Sequence, residues 1–189
     1  MYDYVVLGGG IVGVSTALSL ITKHPDKRIL LLEKEKSFAQ HQTGHNSGVI
    51  HAGVYYQPGT LKAQFCREGL KETIDFCSLH QIPYQQCGKL LVATSDIELN
   101  RMNELYERCK SNEIEVEIID QKQLSEIEPN VQGIGALLVK STGIVNYQLI
   151  TKKMSEQYEA MGGDYLLDSE IVNLKEDNNK IEIITKTET

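Results

Sequence analysis

Hydrophobic and polar positions change period several times along the chain, and each change marks an element. Tyr4 to Leu7 is a short apolar run rich in β-branched residues, and it stops at three glycines. Ile11 to Ile21 then reads as a helix, closed by the loop Lys23 to Lys27, where His24-Pro25 cannot continue it. Ile29 to Leu32 is a second continuous apolar run ending at Glu33. Strand, helix and buried strand in that order predict a βαβ unit with a right-handed crossover. Further on, Leu61, Phe65, Leu70, Ile74 and Cys77 recur at helical spacing behind the start signal Pro58-Gly59-Thr60.

From Pro83 the texture shifts to an α+β block. Strands are expected at Lys89 to Thr94, Ile114 to Ile119 and Ile134 to Val139. A helix running to Cys109 should start from the capping box Ser95-Asp96-Ile97-Glu98, and a short one covers Gln121 to Ile127. Tyr147 to Met161 is again helical and stops at Gly162-Gly163. A strand at Tyr165 to Leu167 precedes a hairpin, Glu170 to Leu174 and Lys180 to Thr185, turning at Asp177-Asn178-Asn179.

Composition narrows the classes. The 189 residues are 41% hydrophobic and 24% charged, an ordinary globular balance. The formal charge of −7 comes with scattered Lys and Arg, which argues against nucleic acid. No run approaches the roughly 18 apolar residues that span a bilayer. The start MYDYVVLGGG has neither a basic region nor a cleavage site, so no secretory signal is expected. Cys66, Cys77, Cys87 and Cys109 lack C-x-x-C spacing, which predicts reduced thiols in a cytoplasmic setting rather than zinc ligands.

Gly8-x-Gly10-x-x-Gly13 follows a strand and opens a helix, and Glu33 closes the next strand at the separation expected of a ribose-binding acid. Gly8 allows the tight turn, Gly10 lets backbone approach a pyrophosphate, and Gly13 with Ala17 lets helix and strand pack closely. The helix start, at Ile11 and Val12, offers free N–H groups to an anion, and Lys34 stands beside the acid. The ligand class is an adenine dinucleotide; the motif alone does not separate FAD from NAD.

The segment HQTGHNSGVIHAGVYY, His41 to Tyr56, holds three of the chain's five histidines. Its run Gln42 to Tyr56 resembles the L-2-hydroxyglutarate oxidase/dehydrogenase family. That family lies in the larger group of FAD enzymes containing D-amino acid oxidase, glycine oxidase and glycerol-3-phosphate dehydrogenase. Pro58 with Leu61-Lys62-Ala63, Cys87-Gly88-Lys89-Leu90, Glu128-Pro129 and Gly143-Ile144-Val145 with Tyr147 extend the resemblance along the chain. It implies an α/β fold: a Rossmann-like FAD-binding domain with an inserted α+β substrate-domain segment. Residues 1–82 and 145–189 would form the discontinuous FAD-binding domain, and 83–144 part of the substrate-binding domain. Family members continue for about as much chain again, so the sequence is expected to be truncated relative to them.

By that resemblance FAD oxidises L-2-hydroxyglutarate, or a similar L-2-hydroxy acid, to the 2-oxo acid. Oxygen or a quinone is the electron acceptor, in the cytoplasm or peripherally at the inner face of the membrane. The alternatives are an amino-acid or sarcosine-type FAD oxidase, and a catalytically silent FAD-binding fragment. His51, between two glycines, is the candidate base for the hydroxyl proton; a histidine that only hydrogen-bonds backbone or flavin is the other reading. Thr43, Gly44, Asn46, Ser47 and Gly48 are expected to meet the cofactor through side chain and backbone. Lys62 and Tyr55 are candidate substrate contacts, with a solvated lysine and a core-packed tyrosine as the plainer readings, and Arg67 has the same ambiguity. His41 and His45 have metal-ligand spacing, but the glycines around them oppose a helix, so no metal is expected.

Overall fold

A computed structural model describes residues 1–186. In chain order its elements are β1 (Tyr4–Leu7), α1 (Ile11–Lys23), β2 (Ile29–Leu32), β3 (Val49–Ile50), α2 (Leu61–Leu79), β4 (Tyr84–Gln85), β5 (Lys89–Ala93) and α3 (Asp96–Ser111). There follow β6 (Glu117–Asp120), α4 (Gln121–Ile127), β7 (Gly135–Val139), β8 (Gly143–Val145), α5 (Tyr147–Ala160), β9 (Asp164–Leu166), β10 (Ile171–Glu176) and β11 (Ile181–Thr185). They form two compact units, one from residues 1–47 with 146–186, the other from Gly48–Val145.

The first unit is built on a parallel sheet in the order β1-β2-β9. Its middle strand, Ile-Leu-Leu-Leu, is buried along its whole length, as a parallel strand covered on both faces requires. Ile29 and Leu31 pack with Val14, Ala17 and Ile21 of α1 and with Tyr158 of α5. A separate antiparallel ribbon pairs β10 with β11 around the turn at Asp177.

Tyr158 ties this core together. Its ring is fully buried and its one hydroxyl proton is shared between the carbonyls of Ile29, at 2.7 Å, and Asp164, at 2.9 Å. Burial, reinforced by the Asp164 carboxylate, pushes the phenol up to about 12. The folded protein therefore keeps a proton that the unfolded chain loses near pH ~10. That stability is whole below pH ~10 and is lost as pH rises through the folded value. Tyr158→Phe should cost about 1–2 kcal/mol at neutral pH and flatten the alkaline loss. Urea midpoints of both proteins at about pH 8 and about pH 11 check this.

The second unit holds two antiparallel sheets, β3-β8-β4 and β5-β7-β6. Alternation along β5 sends Leu91 and Ala93 into the layer with Met102 of α3, and Leu90 and Val92 toward Leu124 of α4. Ala52 and Val54 pack with Cys109 and Val139, and β3 pairs with β8. These contacts place residues 48–82 in the second compact unit.

Local differences from the sequence expectations have physical causes. Ser95 caps α3, but the Glu98 carboxylate reaches past it to the N–H and hydroxyl of Thr94, so the reciprocal half of the expected box is absent. The complete capping box belongs to Asp120 and Gln123 at α4. The expected strand at 114–119 begins only at Glu117, because Ile114 and Val116 are drawn into the Cys109 cluster. Helix α2 starts at Leu61 with Thr60 as its cap. The four cysteines are free.

Candidate functional site

The turn between β1 and α1 is shaped by its glycines. Gly8 lies at φ 101°, in the left-handed region that a side chain disfavours, and its N–H donates to the Leu32 carbonyl at 2.8 Å. A Cβ on Gly13 would overlap the Gly8 carbonyl oxygen, so strand and helix meet here at backbone distance. Gly10 is the N-cap of α1 and brings no capping side chain of its own, and no acidic residue occupies that first turn. The end of the helix is thus left positive and open to an anion. Thr43 closes one side: its hydroxyl accepts from the Ile11 N–H at 3.0 Å.

Glu33 closes the other side. It is 7% exposed, and its carboxylate accepts from the Gly9 N–H at 2.5 Å and the Glu35 N–H at 2.9 Å. These bonds fix the acid against the glycine turn and satisfy a carboxylate that burial would otherwise penalise. Gly8, Gly10, Glu33, Lys34 and Thr43 line one cavity of about 530 Å³, within the range of small-molecule sites.

Other cavity residues were not anticipated: Gln40, His41 and Gln42 on one side, and Ser169, Glu170 and Ile171 on the other. The latter three follow β9, the third parallel strand, and the Ser169 N–H donates to the Glu33 carbonyl at 2.9 Å. The signal that could have found them is positional, since ligands of open parallel sheets gather beyond the carboxyl ends of the strands.

The remaining cofactor-binding candidates, Ile11 to Gly13, Gly44 and Asn46 to Gly48, do not line this cavity. Val12 points outward, and Gly44 is packed against Ala39 and Gln148. The Asn46 amide turns back onto the carbonyls of Gln42 and Thr43, Ser47 is exposed, and Gly48 bonds through its carbonyl to Val145 N–H. His41 contacts the Glu35 carboxylate at 2.8 Å and His45 the His41 carbonyl at 3.0 Å. Among the described residues no group of three or more His, Cys, Asp or Glu is placed to hold a metal.

His51, Tyr55 and Lys62 belong to the second unit. Buried Ile50, Ala52 and Val54 alternate with outward His51 and Tyr55, and side chains of α2 and α3 hold the backbone between them. The His51 carbonyl accepts from Cys66 Sγ at 3.3 Å, the Tyr55 carbonyl from Arg108 at 3.3 Å and the Tyr56 carbonyl from Asn112 at 2.8 Å. Lys62 is exposed on the first turn of α2, and Arg67 is paired with Glu113 at 2.7 Å.

The profile of the FAD dependent oxidoreductase (DAO) family matches residues 3–189. The chain belongs to the FAD dependent oxidoreductase family. Within that family it is 52% identical over 186 residues to the L-2-hydroxyglutarate dehydrogenase of Escherichia coli (strain K12), covering 98% of this chain and 44% of that protein. The mitochondrial L-2-hydroxyglutarate dehydrogenase of Caenorhabditis briggsae is 46% identical, with 96% of this chain and 43% of that protein covered. Among solved structures, the L-alpha-glycerophosphate oxidase of Mycoplasma pneumoniae superposes with a TM-score of 0.88 at 24% identity, over 100% of this chain and 50% of that one. Glycine oxidase from Geobacillus kaustophilus gives 0.86 at 16% identity, over 97% and 51%. At those identities the likeness is one of fold. The chain spans about half the length of the relatives it matches.

Proposed function

We propose that this chain is the cofactor-holding part of an FAD-dependent oxidoreductase that oxidises L-2-hydroxyglutarate, or a similar L-2-hydroxy acid, to the 2-oxo acid. The observation that carries the reading is the 52% identity to a bacterial L-2-hydroxyglutarate dehydrogenase across nearly the whole chain. The cavity fits the adenine dinucleotide portion: an open helix start for the diphosphate, and a fixed carboxylate for the ribose hydroxyls. Gly8, Gly10, Ile11, Val12 and Gly13 would carry the phosphates, with Glu33 and Lys34 on the ribose side. Thr43, Gly44, Asn46, Ser47 and Gly48 would continue the contact toward the ring. FAD, when bound, supplies the hydride acceptor.

The second unit would supply part of the substrate-binding domain. His51 takes the hydroxyl proton as the hydride leaves C2, and Tyr55 and Lys62 meet the acid. The reduced protein would pass electrons to oxygen or to a quinone, in the cytoplasm and, in the second case, from the inner face of a membrane. No helix among the described residues is long and apolar enough to cross one. Comparing oxygen consumption with quinone reduction separates the two acceptors.

The reading is tested by adding FAD to the purified chain and following absorbance near about 450 nm without oxygen. Bound flavin that is bleached by L-2-hydroxyglutarate is the expected result. Bleaching by glycine or sarcosine instead would move the assignment to the amine oxidases, and a chain that takes up no FAD would end it.

A further inference from the structure

Lys89 opens β5 opposite Val139 and shares the face of the sheet that Leu91, Ala93 and Cys109 occupy. It is half-buried there, and burial pushes its ammonium below the usual lysine range. A cation in such a layer normally has a carboxylate beside it. Among the described residues none pairs with Lys89. Its charge-sensitive neighbours are the thiols of Cys66 and Cys109, and burial pushes both thiols up, so they stay protonated and supply no anion. What it does have is the ring of Tyr55, with Nζ 5.3 Å from the centroid. That ring is 60% exposed and stands on the same braced loop as His51.

We propose that Lys89, held over Tyr55, is a carboxylate-binding site of the second unit, taking the carboxylate remote from the reacting carbon of a dicarboxylic 2-hydroxy acid. The substrate's identity rests on the function proposed above, whereas the anion site rests on the half-buried, unpaired ammonium. An ammonium is a point charge and suits one carboxylate oxygen rather than a bidentate pair. Lys62 would then serve no more than an outer, solvated contact.

The test uses the 189-residue chain itself. Lysine acetylation is followed by mass spectrometry with glutarate, with sodium chloride at equal ionic strength, and with neither. Glutarate should slow modification of Lys89 severalfold, with chloride much weaker and lysines elsewhere unaffected. Equal rates in all three overturn the site. In flavin-loaded protein, Lys89→Met should raise KM for L-2-hydroxyglutarate about tenfold or more and leave that for L-2-hydroxybutyrate little changed, while Lys89→Arg retains most of the affinity. Equal losses on both substrates would overturn the assignment to the remote carboxylate. Protection by glutarate without bleaching by L-2-hydroxyglutarate would retain the site and remove the proposed reaction. Bleaching with an unchanged KM in Lys89→Met would do the reverse.

Discussion

Gly13→Ala is expected to lower the stability of the chain by about 1–3 kcal/mol and to weaken FAD binding at least tenfold or so. The Gly13 backbone conformation itself is ordinary; the obstacle is space. The new methyl would overlap the Gly8 carbonyl oxygen. Gly8 cannot retreat, because its N–H is bonded to Leu32 and its φ of 101° is already set by the turn. Helix α1 must lift instead, against the burial of Val14 and Ala17 on its inner face. Lifting displaces the Ile11 N–H from Thr43 and the helix start from the cavity, which couples a packing defect to a binding defect. Gly69→Ala is the control: Gly69 lies within α2, a Cβ there meets nothing within 4 Å, and removing a helical glycine should stabilise by about 0.5–1 kcal/mol. Urea midpoints and FAD titrations of the three proteins check both outcomes. A Gly13→Ala protein that binds FAD as tightly as the parent would refute the phosphate cradle.

The same region shows what a sequence reading reaches. Strand, glycine turn, helix and acid are contiguous, and each imposes a local pattern, so β1, α1, β2 and the position of Glu33 just after β2 were legible from Tyr4 to Glu33. Ser169 to Ile171 complete the same cavity but arrive through β9, after the whole second unit, and Glu170 and Ile171 read only as the start of a hairpin strand. Strands β3, β4 and β8 are two or three residues long, too short for alternation to show, yet they form one sheet and bind residues 48–82 to the second unit. Closeness in sequence to the loop at 41–56 points to Lys62 and Arg67. Arg67 is spent on Glu113, Lys62 faces water, and Lys89 lies against Tyr55 through tertiary packing alone.

His51→Ala in the flavin-loaded enzyme is expected to leave FAD uptake and the urea midpoint unchanged and to lower kcat by about 10²–10⁴. The structural half of that expectation follows from alternation. Ile50, Ala52 and Val54 anchor the segment in the core, His51 projects outward, and its fixed point is its backbone carbonyl, bonded to Cys66. Truncating the imidazole therefore removes neither packing nor the bond that holds the loop. The catalytic half follows from charge balance, because hydride departure from C2 leaves a hydroxyl proton that must go to a base. A neutral imidazole accepts that proton at moderate pH, and alanine leaves only water. Removing a base acts on kcat, whereas removing a substrate contact acts first on KM, so the kinetic split distinguishes His51 from Tyr55 and Lys89. Added imidazole should restore part of the rate to His51→Ala, a rescue that a residue needed only for structure would not show. A variant with undiminished kcat would assign the proton to another group and leave His51 as a surface residue of a braced loop.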